Sequence, residues 1–564
     1  MTTPVLLPAP RRQQWSGRRV AGGEVVETRD PSLPAQGYRL RIGEDGAALD
    51  AADDAGAFYG RATMAQLRAS SDGAGLPEGE IEDWPDIAVR GVMLDVSRDK
   101  VPTVETLEAL LDRLASWKVN HVELYMEHTF AYTGRDEVWG QASPFTADDI
   151  RRVDAFCRER FIELSPNQNC LGHFERWLRH DRYRRLAIRP DGWTDARGRH
   201  RPPTTLEPTN ADVLPLIGGL LEELLGAFSS GRVHVGLDEP WELPDDRFDD
   251  YLDYIRRLRA RPELDGRQAL MWGDIVASHP ERLDEIPDGV TVCEWGYEAD
   301  HPFAERAALL AAAGRPFWLC PGTSSWNSLV GRTTNMIGNI RRATEVAVAA
   351  GAEGLLVTDW GDNGHLQYLP VSEPGFAWAA AQGWCAEANA DLDLGAALSH
   401  QAFADATAQL APALLDLGDA HRHVVPQVPN NSILVLHLYS PRFRMGEGYT
   451  EGLTDADLAA AADTVDDARR RVAGSAPGRA DGPLVQAEID TSARLLALLL
   501  RDARARLAAG GTIEAVDSSE RRTFAGELDG IIEEHRTHWS RRNRQGGLDD
   551  SVGRLQRLRD VYLS

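Results

Sequence analysis

The chain has 564 residues, 43% of them hydrophobic, and a formal charge of −26. That length exceeds one core and predicts several domains, while the acidity argues against nucleic acid or an anionic membrane as partner. No apolar run is long enough to cross a bilayer and nothing at the start reads as a secretory leader, so a soluble cytoplasmic protein is the expectation.

Residues 1–85 read as a small α+β unit. Residues 38–42 alternate as a strand, 43–46 turn, and 47–50 return as the second arm of a hairpin. Residues 55–69 have helical spacing, with Asp53 or Asp54 as N-cap, and the Gly-, Ser- and Pro-rich stretch 70–86 reads as a linker. A different rhythm follows over 86–390. Strands are expected at 89–96, 121–125, 161–165, 233–237, 269–272, 290–294, 316–320 and 354–358. Helices alternate with them, at 102–116, 146–160, 210–228 (capped by Asn210), 245–258, 302–313, 335–350 and 373–386, with a short one after the fifth strand. Eight alternations of this size predict an α/β fold, a (β/α)8 TIM barrel. A doubly wound sheet would want a glycine-rich phosphate turn after its first strand, and Ser97-Arg98-Asp99-Lys100 has no glycine. Residues 391–564 read as a helical C-terminal domain with helices over 394–421, 455–471, 484–509 and 518–539, interrupted by a strand-like run at 433–437.

Cys157, Cys170, Cys293, Cys320 and Cys385 are widely spaced and mostly in apolar runs, which predicts buried thiols rather than disulfides. No metal or other cofactor is expected. His173, His234, Asp238 and Glu239 contain metal-ligand types, but neither H-x-x-x-H nor C-x-x-C spacing is present.

In a barrel, residues just past each strand line one mouth. These are Arg98, His173, Asp238, Glu239, Trp272, Asp274, Trp295, Trp326, Asn327, Trp360 and Asp362. Indole faces give pyranose C–H surfaces something to stack on, arginine and acids bond hydroxyls, and two carboxylates can move protons and stabilise charge. Each residue also has an ordinary structural use: a tryptophan in rim packing, His173 as a satisfied core histidine, Arg98 in a pair with Asp95 or Asp99, Asp362 as a helix cap. The joint arrangement carries the argument. The acids are consecutive, whereas ordinary retaining glycosidases hold two carboxyls about 5–5.5 Å apart on different strands. Consecutive acids suit a division of labour, one serving the glycosidic oxygen and the other a different atom, such as the N–H of a 2-acetamido group that acts as internal nucleophile.

His234-Val-Gly236-Leu237-Asp238-Glu239 resembles the H-x-G-G-D-E motif of glycoside hydrolase family 20, the β-N-acetylhexosaminidases. Arg90-Gly-Val-Met-Leu-Asp95-Val-Ser-Arg98 is similar to the family's R-G-x-x-L-D-x-x-R, Gly172-His173 stands where it has P-G-H, and Gly56-Ala-Phe58-Tyr59-Gly60 with Gln66-Leu67 resembles the helix of its N-terminal domain. The likeness spans residues 35 to 390. It implies that Glu239 is the general acid/base, that Asp238 orients the acetamido group, that Arg98 holds sugar hydroxyls, and that Trp272, Trp295 and Trp360 form the N-acetyl pocket. It implies an exo-acting retaining hydrolase that releases terminal β-linked N-acetylhexosamine through an oxazoline. The alternatives are a different sugar on the same scaffold, or a non-catalytic carbohydrate-binding protein. A carbohydrate is the partner expected, and a homodimer stays open. The chain departs from the family at Leu237 (second Gly), at Asp362 in Trp360-Gly-Asp362 (W-x-E), in the loops after strands 2 and 3, and after strand 7. There the usual acetamido-contacting Tyr is missing, and either Trp326 or Asn327 is its substitute or the role is absent. These departures point to an unusual sugar. The Gly546-Gly547 loop is expected to be a plain helix connection, with a loop over the barrel mouth as the sharper alternative.

Overall fold

The computed structural model describes residues 4–71, 73, 75–195, 198–425 and 427–564. Residues 1–3 of the N-terminal unit, and 72 and 74 of the expected linker, lie outside these.

The N-terminal unit is a five-stranded sheet with the helix Asp54–Ala69 against it. In chain order its strands are β1 Arg12–Val20, β2 Val25–Arg29, β3 Tyr38–Gly43, β4 Gly46–Ala51 and β5 Leu76–Asp83, arranged β1-β5-β3-β4-β2. The expected hairpin is β3–β4, and Asp53 caps the helix by accepting from Gly56 N–H at 2.8 Å. β1 and β2 escape the sequence reading because they are mostly exposed and lack an apolar face. The linker reading of 70–86 is corrected by β5, which sits between β1 and β3 and buries Leu76, Ile81 and Asp83. Asp83 also joins this unit to the barrel. It accepts from Lys118 Nζ and from Trp384 Nε1, each at 2.8 Å, and all three side chains are buried.

Eight parallel strands then close a barrel: Val89–Asp95, His121–Met126, Glu163–Gln168, Arg232–His234, Gln268–Trp272, Val290–Trp295, Phe317–Cys320 and Gly354–Asp359, the last pairing with the first. They read as apolar runs because a parallel strand under helices is buried on both faces. The third strand sits later than expected, since its polar residues Ser165 and Asn167 face inside the barrel and Gln168, on the other face, accepts the Tyr132 hydroxyl. Inside the barrel Asn167 Nδ2 donates to Glu123 at 2.8 Å. The fourth is shorter than expected and ends at His234. Asn210 does not cap its helix. It accepts from Asp212 N–H in a turn, and the helix runs Val213–Leu225. A short ribbon, Trp193–Thr194 with His200–Arg201, projects from the loop after the third strand. All five cysteines are buried and free.

Beyond the barrel the helices Leu394–Gln401, Leu410–Asp419, Asp455–Gly474, Gly482–Ala508, Ser518–Arg542 and Leu548–Leu563 pack together. The single helix expected over 394–421 is broken at 402–409, where Asp405 accepts the N–H groups of Thr407, Gln409 and Leu410 and turns the chain. The strand expected at 433–437 is a 3-10 turn, Ile433–Val435, followed by a helical turn, Leu436–Tyr439. A short apolar run does not distinguish strand from buried helix, and Ser432 starts the turn by accepting from Leu434 N–H. The helices are clamped to the barrel by buried ions. Arg479 shares Glu373 of the last barrel helix with Arg113, while Arg542 ties two C-terminal helices together by binding Glu488 through two bonds of 2.7 Å. No helix of the described residues is long and apolar enough to cross a membrane.

Candidate active site

The fourth barrel strand stops at His234 and the chain then coils. Gly236, Leu237 and Glu239 take φ of +70°, +74° and +45°. Only glycine accepts this region freely, and a Cβ on Gly236 would lie 2.6 Å from Asn169. Leu237 therefore carries strain of about 1–3 kcal/mol, offset by complete burial of its side chain. Its carbonyl accepts the Tyr251 hydroxyl at 2.9 Å. The residue at which the motif departs from its family thus faces the core, and it does not line the cavity.

The coil throws the two acids apart. Asp238 is buried, accepts from Asn169 Nδ2 at 2.7 Å, and has His173 Nε2 3.2 Å from its other oxygen, in a bent ion contact. Burial alone would raise the Asp238 carboxyl, but His173 and Asn169 outweigh it and hold the group below its ordinary value. Burial alone would lower the pKa of His173, but Asp238 pushes it up to about 10. Glu239 keeps 30% of its side chain exposed to the cavity. Its carboxyl is pushed up to about 7, by burial first and then by the charge of Asp238. Two neighbouring carboxyls are thereby split, one ionised and one protonated near neutrality, which is the arrangement acid catalysis needs. Donor atoms of His173, Asp238 and Glu239 all lie within 4.8 Å of one another. With His173 charged, the three form an ion contact centred on Asp238. His234 stands apart, its Nδ1 accepting from Gly236 N–H and its ring packed on Trp272 at 4.2 Å.

Gly172 sets the floor under this coil. A Cβ there would sit 2.5 Å from the Asp238 carbonyl oxygen. A Gly172→Ala protein should push the acid-bearing turn outward, and a misplacement near 1 Å can cost about a hundredfold in rate. Wild-type kcat together with an unchanged Tm would show that this close approach is not needed.

The acids open into a cavity of about 450 Å³ at the carboxyl ends of the strands. Arg98, Trp272, Trp295, Trp360 and Asp362 line it as expected. Arg98 is pinned by Asp95 at 3.1 Å and Glu127 at 3.0 Å, with its guanidinium over the rings of Tyr125 and Trp360. It pairs as the structural reading expected and lines the cavity as well. Asp274 accepts from Glu239 N–H at 3.1 Å, and burial and Asp238 raise its carboxyl. Asp362 caps no helix, since the next one starts at Leu369. Two expected site residues stand behind the wall. Trp326 is 1% exposed and packs edge-on against Tyr297, with ring centres 5.1 Å apart. Asn327 donates to Asp362 at 3.3 Å and to the Asn430 carbonyl at 3.2 Å, so it holds Asp362 instead of facing the cavity.

Several cavity residues escaped the sequence reading, Tyr297, Glu127, Asn430 and Arg554 among them. Tyr297 stacks on Trp295 and accepts from Trp360 Nε1 at 2.7 Å. Its signal was its place two residues past the sixth strand, beside a tryptophan. Glu127 lines the cavity next to Arg98, with its carboxyl raised by burial. Asn430 and Arg554 come from the C-terminal region and carry no local signal. Arg554 forms an ion pair with Asp99, which is also 3.6 Å from Arg176. The loop before Arg554's helix is more than a connection. Arg544 N–H donates to Val101 O, Gly546 N–H to Ser143 Oγ, and a Cβ on Gly547 would collide with the Asp99 backbone. The sharper alternative for this loop is the observed one in part: it docks on barrel loops beside the mouth, and the helix after it supplies the rim.

Two family models match this chain: "Glycosyl hydrolase family 20, domain 2" over residues 7–84, and "Glycosyl hydrolase family 20, catalytic domain" over residues 88–326. A β-hexosaminidase of Akkermansia muciniphila is 27% identical over 261 residues, 42% of this chain and 52% of that protein. A β-hexosaminidase of Vibrio furnissii is 26% identical over 263 residues, 40% of this chain and 41% of that protein. The chain spans about half, or less, of the length of the curated relatives it matches. The Streptomyces coelicolor β-N-acetylhexosaminidase structure is similar in fold, with a TM-score of 0.55 at 20% identity, covering 71% of this chain and 94% of that one.

Proposed function

Because this chain belongs to glycoside hydrolase family 20, we propose that it is an exo-acting hydrolase releasing terminal β-linked N-acetylhexosamine, with retention, by acetamido-assisted catalysis. The observation that carries this reading is the split pair. Asp238 is held ionised by His173 and Asn169, beside Glu239 held protonated up to about 7. The sugar sits with its acetamido group between Trp272, Trp295 and Trp360. Asp238 accepts the acetamido N–H and so directs the carbonyl oxygen at the anomeric carbon. Glu239 gives its proton to the departing glycosidic oxygen as the oxazolinium ring forms, and its carboxylate then takes a proton from the water that opens the ring from the same face. The positive charge of the ring lies beside Asp238, where a fixed carboxylate stabilises it without reorganisation. Tyr297, packed against Trp295 and Trp360, takes the place left by the missing loop tyrosine and donates to the acetamido carbonyl. Arg98 and Asp362 hold ring hydroxyls. A cytoplasmic setting belongs to this proposal and rests on the sequence reading alone.

An N-acetyl thiazoline analogue of the ring intermediate tests this reading. It should bind at least a hundredfold more tightly than the free sugar. A hydrolase that cleaves the glycoside but binds this analogue no better than the sugar would belong to the different-sugar or unassisted alternative.

A further inference from the structure

We propose that Trp241 and Trp193 form a platform for the sugar ring on the leaving-group side of the scissile bond, so that the substrate is an oligosaccharide. This rests on the hydrolase reading above and extends it to the aglycone. Trp241 is two residues past Glu239, and its N–H donates to the Glu239 carbonyl at 2.7 Å. The general acid and this indole are therefore carried on one short turn. Trp241 is 57% exposed, a large apolar surface left in water at the edge of a catalytic cavity. It lines a groove of about 690 Å³ together with Trp193, Asp195, Arg199 and Arg201. Glu175 lines both this groove and the catalytic cavity, so the two spaces adjoin.

The groove is built on tied elements. Trp193 lies on the ribbon opposite Arg201. The chain leaving the ribbon is fixed at Thr204, whose N–H and hydroxyl both donate to the buried Glu242 carboxylate, at 3.0 and 2.8 Å. Glu242 directly follows Trp241, and Thr204 O accepts from Phe174 N–H in the loop that carries His173. One hydrogen-bonded network thus sets the two indoles and the acid relative to each other.

The chemistry selects a saccharide. A pyranose offers an apolar C–H face and a rim of hydroxyls, and the groove offers indole faces and an Asp195 carboxylate bound by Arg199 and Arg201, each at 3.0 Å. A lipid aglycone would gain nothing from that charged rim.

The test compares two substrates. One is the best cleaved of a set of β-1,3-, β-1,4- and β-1,6-linked N-acetylhexosaminyl disaccharides. The other is the β-N-acetylhexosaminyl fluoride, whose leaving group has no ring to stack. The ratio of kcat/KM for disaccharide over fluoride should fall about tenfold in Trp241→Ala, the worth of one aromatic contact, and recover in Trp241→Phe. An unchanged ratio, or equal losses on both substrates, overturns the platform. So does a ratio that falls only for a glycopeptide, which would assign the groove to a protein aglycone. If the wild type cleaves none of these, the hydrolase reading fails by itself. The platform is then judged by tryptophan fluorescence titration with the disaccharides, where equal affinity of the wild type and Trp241→Ala overturns it.

Discussion

A Glu239→Gln protein is expected to lose about a thousandfold in kcat/KM on a β-N-acetylhexosaminide with a poor leaving group, within the usual range for removing a general acid. The amide keeps the size of the side chain and can still accept and donate hydrogen bonds, so binding should survive. On a substrate whose leaving group departs without a proton the loss should be far smaller, because ring formation depends on Asp238 and not on Glu239. The pH profile supplies a second reading. The active form has Glu239 protonated and Asp238 ionised. Wild-type kcat/KM should therefore fall as pH rises through about 7, where Glu239 loses its proton, and should hold on the acid side to below the ordinary aspartate range, because the Asp238 pKa is depressed. Undiminished turnover of the poor substrate by Glu239→Gln would remove this residue from the reaction.

The second large effect is expected from Asp238→Asn, with a fall in kcat of a hundredfold or more, the scale seen when one preorganised electrostatic partner of a developing charge is lost. Folding should survive, because His173 can shed its proton once its counter-ion is gone. Two further signs separate this variant from a merely disturbed site. Removing the negative charge beside Glu239 relieves the repulsion that helps raise its carboxyl, so the alkaline limb should move to lower pH. Affinity for the thiazoline should also drop more in Asp238→Asn than in Glu239→Gln, since the first group faces the ring nitrogen and the second the departing oxygen. Loss of the His173 charge, which lowers the Glu239 carboxyl, offsets part of this shift, and an alkaline limb that moved to higher pH would mean that this effect outweighs the lost Asp238 charge.

The barrel was legible because burial on both faces writes itself as apolar runs, and the acid pair because polarity changes abruptly after Leu237. What lay beyond those signals depends on backbone turns that sequence patterns do not encode. Trp326 and Asn327 stand past a strand end as Trp295 does, yet Ser324, Asn327 and Leu329 all take positive φ, and the coil carries the two side chains behind the wall. Tyr297 faces the cavity from a position the reading passed over. Leu237 looked like a change of specificity, and is a packing residue held in a strained conformation. The run at 433–437 has strand composition, but the barrel is closed and leaves no edge for it to join. Asn430 and Arg554 reach the mouth through tertiary packing alone.

The pairing of Arg554 with Asp99 spans 455 residues of chain. At ribosomal speeds of about 5–20 residues per second, the carboxylate waits roughly 20 to 90 s for its guanidinium. For the later part of that interval, once Gly354–Asp359 is made, the nascent barrel has all its strands but an unfinished entrance, with Asp99 lacking Arg554. Contacts so distant in sequence form late and slowly. The entrance should thus be complete only once Arg554 has emerged from the ribosome, and a chain stalled after the eighth strand should be a client for chaperones.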